Sequence, residues 1–99
     1  MKKEVHLTIL YDYYGNLFNE KQKEYFENYY FNNLSLAEIA ENLKVSRNAV
    51  HKQIKLMEDK LTEYEKILKL YEKDTKIKEI MNKVQDETII KDLEKLLNN

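Results

Sequence analysis

An all-α protein is predicted by three features of this 99-residue sequence. It holds a single glycine, Gly15, and no proline, so nothing breaks a helix. Apolar residues recur at three- and four-residue spacing along most of the chain. Helix-capping residues stand between those runs. The expected architecture is a tri-helical helix-turn-helix core with one long helix and a C-terminal helical extension. Residues 1–72 are read as the helix-turn-helix domain and residues 73–99 as its extension.

The spacing of Val5, Ile9, Leu10, Tyr13, Tyr14 and Leu17 predicts a first helix over residues 4–18, with Gly15 placed to end it or to let a neighbour approach. Asn19 is a candidate N-cap for a second helix, with Glu20 in its first turn. That helix carries Tyr25, Phe26, Tyr29, Tyr30 and Phe31. These aromatics share one helical stripe and read as core, because a base-stacking platform displays its rings on an open face. Asn32-Asn33 marks a turn.

Ser35 followed by Glu38 is a capping box, and Leu36, Ile39, Ala40 and Leu43 form the apolar stripe of a third helix. Lys44-Val45 is a short turn, where Lys44 is expected to adopt a left-handed conformation at a cost of about 1 kcal/mol. Ser46 caps the next helix. Val50, Ile54, Met57, Leu61, Tyr64, Leu68 and Tyr71 then alternate at spacings of four and three. This heptad seam predicts one helix from about residue 47 to about residue 72. Asp74 is a candidate cap for a helix through Ile77, Ile80, Met81 and Val84. Asp86 is a candidate cap for a last one through Ile89, Ile90, Leu93, Leu96 and Leu97.

The segment from Ser35 to Leu61 meets the spacing rules of a helix-turn-helix. A small residue, Ala40, lies mid-way in the bracing helix, the turn is short, and the second helix has an apolar inner face at Val50 and Ile54. Its outer face holds Arg47, Asn48, His51, Lys52 and Lys55. Arg and Asn suit bidentate contacts to guanine and adenine edges. Lys52, Lys55 and the helix N-terminus at Ser46 suit phosphates. Glu58 and Asp59 follow only at the far end, so the first turns of this helix are a local basic stretch. The chain as a whole has a net charge of −1, whereas proteins that depend on bulk phosphate contact are usually basic.

The same composition narrows the alternatives. There is no cysteine, which removes disulfides, thiol catalysis and cysteine-based zinc sites. No apolar run approaches the ~20 residues of a membrane span, and Met1-Lys2-Lys3-Glu4 leads into no signal-peptide core. His6 and His51 lack partners at metal-ligand spacing. Glu63/Glu65 and Asp86/Glu87 read as solvated faces and caps rather than acid–base dyads. No catalytic site, metal or cofactor is expected.

The run Glu20-Lys21-Gln22-Lys23, Tyr29-Tyr30 and Leu34 through Val50 is similar to region 4 of bacterial sigma factors. With Tyr11-Asp12-Tyr13-Tyr14 ahead of it and Glu63-Tyr64-Glu65-Lys66, Leu68 and Leu70-Tyr71-Glu72 behind it, it resembles more closely the YlxM family of small helix-turn-helix proteins. That family is encoded beside the bacterial signal recognition particle GTPase. The resemblance spans roughly residues 7 to 73. It implies an all-helical, often dimeric, cytoplasmic regulator in the signal recognition particle pathway, without enzyme activity or cofactor. The family commonly has Tyr-Asp-Asn where His51-Lys52-Gln53 stand here, which changes the outward positions that would read bases.

Two roles follow as expectations. The first is a regulator that binds DNA or a structured RNA through Ser46, Arg47, Asn48, His51, Lys52 and Lys55. The second is an adaptor on the signal recognition particle GTPase without DNA binding. The seam from Val50 to Tyr71 exceeds what a small domain easily covers, so a homodimer through the long helix or the C-terminal helices is expected, with Met57, Leu61, Tyr64, Leu68 and Tyr71 as its dimer or partner seam. Its recognition helices would be spaced near one DNA turn, roughly 34 Å.

Overall fold

The computed structural model describes residues 1–98, and among them every regular element is helical. The chain divides into two compact units, the first spanning Met1–Leu68 and the second beginning at Lys69.

The first unit opens with α1, Lys3–Tyr14, followed by a 3-10 turn, Gly15–Leu17. Its buried residues are Leu7, Leu10, Tyr14 and, past the turn, Phe18. This corrects the expected stripe: Val5 and Leu17 lie on the exposed side. Gly15 keeps an ordinary helical φ of −55°, so its role is space rather than backbone freedom. A Cβ there would stand 3.2 Å from the Tyr11 ring. That ring is held in place, stacked on Phe26 at 4.2 Å with its hydroxyl donating to Glu27 Oε2 at 2.7 Å.

Helix α2, Glu20–Tyr30, starts from Asn19. Asn19 Oδ1 accepts from the Gln22 amide at 2.8 Å, and Gln22 Oε1 accepts from the Asn19 amide at 3.1 Å, a reciprocal box that satisfies two otherwise orphaned donors. Tyr25 and Phe26 are buried, and Phe26 also stacks on Tyr30 at 4.4 Å. The aromatic stripe is therefore core at its centre, while Tyr29 and Phe31 lie at its exposed edges.

Helix α3, Leu36–Leu43, has the Ser35–Glu38 box, with bonds of 3.0 and 3.1 Å. The Ser35 amide, and secondarily its hydroxyl, hold the Glu38 carboxyl below its ordinary pKa. Lys44 closes the helix in the left-handed region at φ 56°, ψ 44°. The Val45 amide reaches back to the Ala40 carbonyl at 3.0 Å and the Lys44 amide to Glu41. This is a Schellman cap made without glycine.

Helix α4, Arg47–Leu68, is the axis of the unit, and α1, α2 and α3 all pack against it. Tyr25, Ile39, Ala40, Val50 and Ile54 form the helix-turn-helix core, flanked by Leu34, Leu36, Leu43 and Val45. Two Tyr–Glu bonds tie α1 and α2 to α4. Tyr14 donates to Glu65 Oε1 at 2.7 Å, and Tyr30 donates to Glu58.

The expectation that this helix continues to residue 72 is corrected. Lys69 takes φ 55°, ψ 33°, and one left-handed residue ends an α-helix because its carbonyl leaves the helical direction. The second unit then contains α5, Leu70–Met81, and α6, Glu87–Leu97. Asp74 lies inside α5 rather than capping it. Asp86 does cap α6, its Oδ1 accepting from the Thr88 and Ile89 amides at 2.9 and 3.3 Å. No residue of α6 is buried. No helix among the described residues is long and apolar enough to cross a membrane.

Candidate nucleic-acid interface

The bracing helix α3, the Lys44–Ser46 turn and the first turns of α4 form the candidate site. Local sequence builds it. Ser46 Oγ accepts from the Ala49 amide at 3.0 Å, and its carbonyl accepts from the Val50 amide, so α4 begins at a defined residue. The left-handed Lys44 turns the chain sharply enough for Ala40 and Val50 to share one core. With Val50 and Ile54 pointing inward, helical geometry turns the remaining positions out to solvent.

Ser46, Arg47, Asn48, His51, Lys52 and Lys55 are all exposed. The structure thus brings every residue of the expected binding set onto the leading two to three turns of one helix. The side chains of Arg47, Asn48, His51 and Lys52 make no hydrogen bond or ion pair to other described residues. Lys55 differs, because its ammonium lies 3.4 Å from Asp59 Oδ1 one turn on. That ion pair is exposed and weak, but it leaves Lys55 less charge to offer than Lys52.

One residue of this face was not expected. A shallow depression of about 170 Å³ is lined by Tyr29, Leu36, His51, Ile54, Lys55 and Glu58. The sequence pattern places Tyr29 in the core stripe together with Tyr30. Its ring meets Tyr30 edge-on at 5.1 Å, yet it remains 37% exposed. The helical phase is the signal that separates them: Tyr29 lies a full 100° round α2 from Tyr30.

The residues expected to form a dimer seam do not share a surface. Met57 and Leu61 are 0% exposed within the single chain, so they are core there. Tyr64 is half-buried between the rings of Tyr14 and Phe18, at 5.9 and 6.0 Å. Leu68 is exposed at the end of α4, and Tyr71 belongs to α5 in the second unit. The physical reason is that three helices pack on α4, and together they cover the inner side of the heptad stripe.

No group of three metal-ligating side chains gathers among the described residues.

Comparison with known proteins finds one family matching residues 1–99, described as "Putative helix-turn-helix protein, YlxM / p13 like". A UPF0122 protein of Geobacillus sp. (strain WCH70) is 43% identical over 87% of this chain and 78% of its own length. The UPF0122 protein YlxM of Bacillus subtilis (strain 168) is 41% identical over 87% of this chain and 78% of its own. A UPF0122 protein of Malacoplasma penetrans (strain HF-2) is 40% identical over 88% of this chain and 81% of its own.

Proposed function

The chain belongs to the YlxM/p13-like helix-turn-helix family, and from that premise we propose that it is a cytoplasmic regulatory protein that binds nucleic acid through the leading turns of α4. The observation that carries this reading is the exposed, unengaged set Arg47, Asn48, His51 and Lys52 behind a left-handed turn. Arg47 and Asn48 lie at the helix start, where a recognition helix meets base edges. Lys52, Lys55 and the N-terminal amides at Ser46 take phosphates of DNA or a structured RNA. His51 and Tyr29 border the depression beside them. The protein acts in this reading as a homodimer and carries out no chemical step.

The test is a gel-shift titration at several salt concentrations. Replacing Arg47 and Lys52 together by alanine is expected to weaken binding at least tenfold, roughly, and to reduce the salt slope by about two, one for each lost cation. Unchanged affinity and slope in the double variant would overturn the assignment.

A second reading, an adaptor on the signal recognition particle GTPase, is favoured by the charge balance. The first unit carries no excess of base over acid, and Ile67 and Leu68 are exposed together at the end of α4. It predicts retention of that GTPase on immobilised protein at micromolar concentration; no retention would count against it.

A further inference from the structure

The depression beside the basic turns of α4 carries chemistry that a recognition helix alone does not use. Three helices meet there. Tyr29 comes from α2, Leu36 from α3, and His51, Ile54, Lys55 and Glu58 from α4. Ile54 is buried and Leu36 half-buried, which gives the depression an apolar floor. Tyr29 adds an aromatic side. The rings of Tyr11, Phe26 and Tyr30 stack in succession at 4.2 and 4.4 Å. The Tyr29 ring instead meets Tyr30 at 83° and stands outside that stack, 37% exposed.

Two polar groups at the depression have bonding capacity left. Tyr11, Tyr14 and Tyr30 each donate to a glutamate, but the Tyr29 hydroxyl makes no hydrogen bond to other described residues. Glu58 accepts from Tyr30 through Oε2, and its Oε1 has no partner among the described residues. His51 belongs both to the depression and to the exposed outer face of α4, so the two surfaces are continuous.

The guest that fits is flat, uncharged and aromatic, with an N–H edge. Its ring face stacks on Tyr29, as unstacked bases do on aromatic side chains. Its amino group donates to Glu58 Oε1, as the cytosine amino group does to carboxylates. A cationic side chain of a protein fits less well, because the Lys55 ammonium borders the same space and repels it. A base held in a continuous duplex presents only its edge in a groove, whereas one already out of the stack costs least to insert.

We propose that the Tyr29–Glu58 depression is a subsite for one unpaired nucleobase that bears an amino group, with the adjoining strand lying on the basic turns of α4. This rests on the nucleic-acid reading and narrows its ligand to a strand with a base outside the helical stack.

The test is a gel-shift titration of the full chain with a fully paired duplex and with the same duplex carrying one bulged nucleotide, each made in DNA and in RNA. The bulged duplex is expected to bind about tenfold tighter than the paired one in at least one of the two backbones. Adenine, cytosine or guanine at the bulge is expected to bind tighter than uracil or thymine, and Glu58→Gln to reduce that difference. Tyr29→Ala is expected to remove the preference for the bulge and to leave paired-duplex affinity within about twofold of the parent. Tyr29→Phe keeps the ring and is expected to keep the preference. If circular dichroism shows that Tyr29→Ala has lost helix, Tyr29→Leu takes its place, filling the edge of the core without an aromatic face. The proposal is overturned by a parent that binds paired and bulged duplexes equally, or by a Tyr29→Ala chain that retains the preference. In both cases, paired-duplex binding that is weakened by replacing Arg47 and Lys52 leaves the proposed function standing. Equal affinity for all bulged bases overturns the role of Glu58. A parent that binds none of the probes overturns this proposal and the nucleic-acid reading together, and leaves the depression to a side chain of a protein partner.

Discussion

Three tyrosine hydroxyls hold the helices of the first unit together: Tyr11 to Glu27, Tyr14 to Glu65 and Tyr30 to Glu58. Burial first, and then the bonded glutamate, push the Tyr11 and Tyr30 phenols above their ordinary value of 10.0. The folded state therefore favours the protonated phenol more than the unfolded chain does. Stability from these bonds is fully present below about pH 10 and is lost as pH rises beyond it. Thermal melts followed by circular dichroism are expected to shift down above pH 10. Tyr30→Phe should flatten that shift, and at neutral pH it should cost about 1 kcal/mol for the lost bond. Lys44 makes the complementary case, because here the backbone is strained rather than the side chain engaged. Its φ of 56° suits glycine, and Lys44→Gly is expected to stabilise the domain by up to about 1 kcal/mol in urea denaturation. The left-handed Lys44 was legible, since the helix-turn-helix spacing demands a sharp turn at that residue. The equally left-handed Lys69 was not, since no spacing rule required a turn there and lysine has no turn signature of its own.

Helix α4 is both the bracing axis of the unit and the start of its candidate reading face. Its first turns are read correctly from sequence because Ser46, Val50 and Ile54 act locally. The far half is not, because a heptad of apolar residues says that a face is covered without saying by what. Met57 and Leu61 are covered by the chain itself, and a test separates this from a dimer seam. Met57→Ala should destabilise the fold by roughly 2–5 kcal/mol, seen as a urea midpoint that falls by the same amount at every protein concentration. A midpoint that moved only at low concentration would place Met57 between copies instead. The caps show the same division. Asn19, Ser35 and Asp86 each satisfy donors two or three residues away, so their pattern is complete in the sequence. The α1 stripe was misphased. Val5 lies two, five and nine residues from Leu7, Leu10 and Tyr14, which puts it on the opposite side of the helix, and Leu17 falls in the 3-10 turn after α1.

At the scale of the molecule, the near balance of acid and base confines any phosphate-binding role to a patch. The patch exists because folding turns Arg47, Asn48, His51 and Lys52 outward on one short surface, with Glu58 and Asp59 only at its far end beside Lys55. All-α architecture, the helix-turn-helix, its caps and the residues of its outer face were determined by the sequence alone. Each rests on interactions within a few residues, where spacing is equivalent to geometry. The tertiary structure alone decided that α4 ends at Leu68, that Met57 and Leu61 are core, and that Tyr29 borders the site. Those outcomes depend on which distant helices compete to cover the same apolar face, and burial is a property of the assembled unit rather than of any one segment.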